Sequence, residues 1–382
     1  MTALMAGIAA RRVPTARLTQ NVLETGRSDG APVLFVHGNV SSSLFWQPTM
    51  LWLSERESSQ HERGATRADR PAPAPGDLSE ERTLPAPYRP LAVDLRGFGD
   101  TDAVPVDATR GVRDWSDDVA ALLDALGLDR VHLVGWSLGA GVVMQSVIDA
   151  PERVASLTLV APVSPYGFGG TSGTDGTLVD PDGAGTGGGT ANPEFVQRLA
   201  AGDRGTDSPL SPRNVLLAHY VAPPCVPEPL DAFVESMLST RVGDDFYPGT
   251  ARAVETWPGT APGDRGVLNT LAPTHLRLDS LSTVDPKPPV LWIRGTADVI
   301  VSDTSLYDLA HLGALGAVPG WPGPDRYPAQ PMIGQTRAVL DAYAAGGGRY
   351  REVALEGSGH GPHLDRPEEF RAALVAHLSE AS

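Results

Sequence analysis

Apolar positions along this chain follow two alternating rhythms: short unbroken runs, and longer stretches in which they recur every three or four residues. Residues 32–37 (Pro-Val-Leu-Phe-Val-His) form an unbroken run, as expected of a strand covered on both faces. Residues 90–94, 131–136, 156–161 and 289–294 read the same way, 350–355 reads as the last strand, and 17–25 mixes polar and apolar positions and reads as an edge strand. Between the runs, Trp115, Val119, Leu122, Leu123 and Leu126 recur at helical spacing and predict a helix over 114–126, stopped by Gly127. Further helices are expected from just after Ser137 to about Ala150, over 332–343 and over 367–378, where Pro367 suits a first helical turn. Residues 41–53 read as a loop entering a short helix. This strand–helix alternation predicts an α/β fold on a mostly parallel, doubly wound sheet.

The rhythm breaks in three places. Residues 55–87 are rich in Arg, Glu, Pro, Ala and Ser and read as a disordered-like surface insertion. After residue 161 the alternation stops: 164–191 is Gly, Thr and Asp with little else and reads as a flexible connector, and 193–284 carries short helical patterns without strands. The expected organisation is a core of residues 1–162 and 289–382, with residues 163–288 inserted as a mostly helical cap. A third irregular piece, 312–331, is placed to fold over a pocket as part of a lid.

Composition narrows the function classes. The chain has 382 residues, 41% hydrophobic and 20% charged, enough for two or three domains or one large domain with an insertion. Acidic side chains number 46 against 30 basic ones, a net charge of −16, and the arginines are scattered, which argues against a nucleic-acid groove. No run approaches transmembrane length, and Arg11 and Arg12 follow the apolar N-terminus instead of preceding it, the wrong order for a secretory signal. A cytoplasmic protein without membrane contact is expected. The single cysteine, Cys225, and nine histidines without ligand spacing imply no internal disulfide, no metal and no cofactor.

The candidate chemistry centres on Gly135-Trp136-Ser137-Leu138-Gly139, where an apolar run ends abruptly and a helical segment begins. A tight strand-to-helix turn exposes a serine hydroxyl, and the small neighbours at 135 and 139 avoid collisions across it. His37-Gly38, Asp94-Leu95-Arg96-Gly97-Phe98-Gly99, Gly295-Thr296-Ala297-Asp298 and Gly357-Ser358-Gly359-His360 also follow apolar runs. With these five blocks in order, the chain resembles the cap-bearing branch of the α/β-hydrolase superfamily, over most of residues 17–162 and 289–380.

That resemblance implies Ser137 as nucleophile, His360 as its base and Asp298 as the acid that orients the imidazole. His363 competes with His360 and otherwise lines the pocket or contacts solvent; Asp303 is the fallback acid. Backbone N–H groups of Asn39 and Leu138 would form an oxyanion hole. Trp136 and Val40 are further pocket candidates, and His37, Asp94 and Arg96 are expected to fix loops. Residues 37–46 are similar to the corresponding loop of haloalkane dehalogenases, yet those enzymes and epoxide hydrolases attack with aspartate where this chain has Ser137. The implied activity is hydrolysis of small to medium carboxylic esters or lactones. The alternatives are C–C hydrolysis, cofactor-free perhydrolysis, or ligand binding without turnover.

Overall fold

Unbroken apolar runs become the central strands, which bury both faces at once. The computed structural model describes residues 4–26, 28–54 and 88–381; the insertion expected at 55–87 lies outside them. Eight strands form the central sheet: β1 Ala9–Pro14, β2 Thr19–Glu24, β3 Ala31–Val36, β4 Tyr88–Val93, β5 Val131–Trp136, β6 Val154–Val160, β7 Val290–Gly295 and β8 Tyr350–Leu355. Their order is β1-β2-β4-β3-β5-β6-β7-β8. Strands β3 to β8 are mutually parallel, and β2 runs against its neighbours β1 and β4. Strand β1 is absent from the sequence reading. Most of its side chains are exposed, so it carries no apolar run and is held by pairing with β2.

Helices α1 Arg113–Leu126 and α2 Leu138–Asp149 pack on each other beside the sheet. α1 buries Trp115, Val119, Leu122 and Leu123. Gly127 closes it in the left-handed conformation (φ 64°), its N–H donating to Asp124 O while Leu128 N–H reaches Leu123 O. α2 is buried over most of its surface, as a central helix must be.

Residues 161–289 add no strand to the sheet. They contain α3 Pro193–Ala200, α4 Leu230–Leu238 and a tight stretch from Pro212 to Tyr220 that ends in a π-helical turn, Leu216–Tyr220. Irregular backbone nevertheless predominates over helix, contrary to the expected mostly helical cap. Prolines at 223, 224, 227, 229, 248, 258 and 262 break helical hydrogen bonding repeatedly. Residues 164–191 also differ from the expected flexible connector. Thr171, Asp180, Ala184 and Thr186 are buried there, Ser164 Oγ donates to Gln335 Oε1 (2.7 Å), and Gln335 Nε2 donates to Thr171 Oγ1 (3.0 Å). Its glycines supply tight turns, and its short polar side chains find buried partners. Gln335 lies on α5 Met332–Ala345, and α6 Pro367–Glu380 packs on β6 and β7.

Candidate active site

The loops carrying the candidate residues leave the carboxyl ends of β3, β5, β7 and β8, where open α/β sheets hold their ligands. Val36 pairs with Gly135, Trp136 with Val160 and Gly295 with Leu355, so these ends share one edge. Among the described residues, three non-glycine residues have positive φ: Val40 (45°), Ser137 (56°) and Ala161 (41°). Each follows closely on β3, β5 or β6. Strained positions of this kind cost about 1–3 kcal/mol each and cluster at functional sites. Ser137 is held by its N–H to Val160 O (2.9 Å), and its carbonyl accepts from Ala140 N (3.0 Å) in α2. A Cβ at Gly139 would lie 2.3 Å from His37 O, and one at Gly135 would lie 2.4 Å from Gly139 O. Only glycine lets β3 and the head of α2 approach so closely.

Asp298 and His360 meet directly. His360 Nδ1–H donates to Asp298 Oδ2 (2.8 Å), and Asp298 Oδ1 accepts from Ile300 N (2.7 Å) and Val301 N (3.0 Å). Both are buried, at 6% and 3% exposure, so the ion-pairing geometry is shielded from water. This arrangement leaves His360 Nε2 for the cavity that His360 lines together with Ser137, Asn39, Val40, Trp136 and Tyr220. The cavity measures about 130 Å³. No hydrogen bond joins Ser137 Oγ to His360 among the described residues; what they share is this wall.

Leu138 is the first residue of α2, so its N–H has no acceptor within the helix, and its side chain is core. Asn39 lines the cavity, with its side-chain Oδ1 buried and unpartnered. The turn that presents Asn39 is fixed from below by His37, whose Nε2 accepts from Leu95 N (3.0 Å) and whose Nδ1–H donates to Gly38 O (2.8 Å). Burial lowers the His37 pKa to about 4, so the ring is neutral and structural. Asp94 accepts from Ser43 N (2.8 Å), Asn21 Nδ2 (2.8 Å) and Asp100 N (3.0 Å). Arg96 makes a buried two-pronged pair with Asp118 (2.6 and 2.7 Å). Both residues fix loops, as expected.

Two sequence expectations fail. His363 neither lines this cavity nor meets solvent: it is 2% exposed, stacked on Trp46 (centroids 4.3 Å apart) and edge-on to Trp136 (4.8 Å). Burial, with His360 adding to it, lowers its pKa to about 3. The short helix Pro362–Asp365, which starts just after Gly361, turns it into the aromatic core rather than the cleft. Asp303 is exposed and accepts from Ile333 N (2.8 Å), away from His360.

Sequence reasoning missed Tyr220. Its hydroxyl donates to Asn39 O (3.1 Å) and Val40 O (3.2 Å), and its carbonyl accepts from Gly361 N (2.6 Å). It also missed Asp365, which accepts from Ser358 Oγ (2.6 Å), Gly359 N (2.7 Å) and Ala222 N (2.9 Å). Tyr220 acts across a long sequence separation, and Asp365 ties its own loop to Ala222, 143 residues away. Among the described residues no cluster of three or more His, Cys, Asp or Glu side chains is placed to hold a metal ion, and no helix is long and apolar enough to cross a membrane.

Known proteins place this geometry in a family. A Variovorax paradoxus protein named for carbamate hydrolysis, RutD, is 36% identical over 135 residues, 35% of this chain and 39% of that one. A 2-hydroxy-6-oxo-6-phenylhexa-2,4-dienoate hydrolase of Comamonas testosteroni is 39% identical over 77 residues, 20% of this chain and 27% of that one. The chain thus spans well under half the length of these relatives. The fold matches that of the carboxylesterase CesB (YbfK) from Bacillus subtilis with a TM-score of 0.53 at 15% identity, covering 98% of this chain and 93% of that one. The family model for alpha/beta hydrolases matches residues 33–373. With the strand order, the strained turn at Ser137 and this match across nearly the whole sequence, the chain belongs to the alpha/beta hydrolase family.

Proposed function

We propose that this protein is a serine hydrolase that cleaves carboxylic esters or lactones of small to medium size through an acyl-enzyme on Ser137. The observation that carries the reading is the buried Asp298–His360 pair opening onto the same cavity as Ser137. In this mechanism His360 Nε2 takes the hydroxyl proton as Ser137 Oγ attacks the ester carbon, and Asp298 stabilises the resulting imidazolium. The N–H groups of Asn39 and Leu138 receive the developing oxyanion; one such donor is worth about 3 kcal/mol. Protonated His360 then passes its proton to the leaving alcohol, and water attacks the acyl-enzyme by the reverse sequence. Residues 163–288 act as the cap over this cavity.

A second reading, C–C hydrolysis, is favoured by the identity to the dienoate hydrolase. Against it, no Arg or Lys stands among the described residues lining the cavity, so a substrate carboxylate has no cationic partner there. The test is labelling by a fluorophosphonate together with turnover of p-nitrophenyl esters. Ser137→Ala is expected to abolish labelling and lower kcat by roughly 10⁵–10⁶-fold. Full ester turnover by that variant overturns the proposal.

A further inference from the structure

Beside the chamber that holds Ser137 and His360 lies a second one of about 510 Å³. The two share a wall, since Asn39, Phe195, Val215, Tyr247 and Tyr307 line both. At about 130 Å³ the inner chamber is smaller than the roughly 300–1,000 Å³ typical of sites that enclose a small-molecule ligand, whereas the outer one falls inside that range. The inner chamber is therefore sized for the reacting carbonyl and little else.

The outer walls come from three separate pieces of chain: Thr186, Thr190 and Ala191 on one, Leu210 and His219 on a second, Leu306, Leu309 and Leu312 on the third. None of the described residues lining either chamber is Asp, Glu, Lys or Arg. His219, on the π-helical turn, lines the outer chamber edge-on to Tyr307 (5.6 Å), and its buried Nδ1 has no partner. Burial lowers its pKa, so it stands there neutral. An ionised substituent entering this space loses its hydration and meets no counter-charge, whereas methylene groups gain from leaving water.

We infer that the outer chamber binds an uncharged, extended apolar substituent of the substrate, so the preferred class is the ester of a medium-length alkyl or arylalkyl group rather than a short or carboxylate-bearing ester. This rests on the acyl-hydrolase reading only for the position of the carbonyl at Ser137.

The test is kcat/KM of the full chain on p-nitrophenyl acetate, butyrate and octanoate, and on an octanoate-length ester ending in a carboxylate. Each methylene buried raises kcat/KM by roughly fourfold, so the four extra methylenes of octanoate should place it roughly 250-fold above butyrate. The carboxylate-ended ester should fall to the butyrate level or below. Ala191→Trp and, separately, Leu309→Trp fill the chamber and should each lower the octanoate-to-acetate ratio at least tenfold, with thermal unfolding confirming a folded variant. A flat chain-length profile, or a ratio untouched by both substitutions, overturns the inference. Should no ester be turned over, the acyl-hydrolase reading fails on its own and calorimetric titration of 1-octanol decides the chamber: binding that Ala191→Trp weakens at least tenfold supports it, and no binding overturns it.

Discussion

The two sides of the cavity are built by different means. On the sheet side, positions are set by main chain: strand ends in register, a serine held at φ 56°, and glycines where β3 meets α2. On the inserted side, residues 161–289 reach the same cavity through scattered side chains. Tyr220 bridges to the Asn39 turn, and Phe233 stacks on Phe45 with centroids 4.7 Å apart. Ser236 Oγ lies 2.6 Å from Ser42 Oγ. The difference separates two jobs. Chemistry needs atoms fixed to fractions of an ångström, which a parallel sheet supplies; shape and polarity of the pocket can be set by side chains on a less regular segment.

Breaking the sheet side should have the largest effect. Asp298→Asn keeps acceptance from Ile300 and Val301 N–H through its Oδ1 but turns an amide N–H toward His360 Nδ1–H, so the ring loses its orienting acceptor. Under the proposed mechanism kcat should fall roughly 10⁴-fold with the unfolding midpoint little changed. A variant that keeps most of its kcat would remove Asp298 from the site.

Tyr220→Phe probes the inserted side with a smaller expected effect. It removes one hydroxyl and strands two carbonyls, that of Val40 buried and that of Asn39 half-buried, a cost of about 1–3 kcal/mol. Because those carbonyls belong to the turn presenting Asn39, the loss should appear as a roughly tenfold drop in kcat with KM nearly constant. Steady-state kinetics read both constants. A lower unfolding temperature with kcat unchanged would show that Tyr220 serves folding alone, and the division of labour drawn above would be sharper still.

The smallest effect concerns pH. Burial lowers His37, His132 and His377 to pKa values of about 4 and His363 to about 3, from the ordinary 6.5. The unfolded chain therefore takes up protons first as pH falls. Stability from these groups is fully present above about pH 6.5 and drains away towards pH 4, at about 1.4 kcal/mol per pH unit for each histidine. His363→Phe keeps a ring against Trp46 and Trp136 without the two unpartnered nitrogens. Denaturant unfolding at pH 7, 6 and 5 should show its pH slope reduced by one proton; an unchanged slope would mean that His363 is not neutral in the folded state.

Local signals made the sheet side legible. The apolar runs at 33–36 and 131–136 are fully covered strands, the Gly127 stop is a left-handed cap, and Gly135 and Gly139 stand where any Cβ would strike backbone. Strand β1 escaped because its side chains are exposed, and 164–191 misled because glycine-rich sequence suits packed tight turns as well as loose connectors. His363 was placed at the pocket because spacing along the chain gives a residue's neighbourhood and not the direction of its ring.

By itself the sequence determined the α/β core, the chain order of the candidate serine, acid and histidine, and the need for glycine around Ser137, since periodicity and steric demand act between near neighbours. Only the tertiary structure decided that Asp298 and His360 bond, that Tyr220 and Asp365 brace the loops of the site, and that a second, uncharged chamber adjoins the first. Apart from the bonds of Asp365 to Ser358 and Gly359, those contacts join residues far apart in the chain, and no local pattern encodes a distance that folding alone closes.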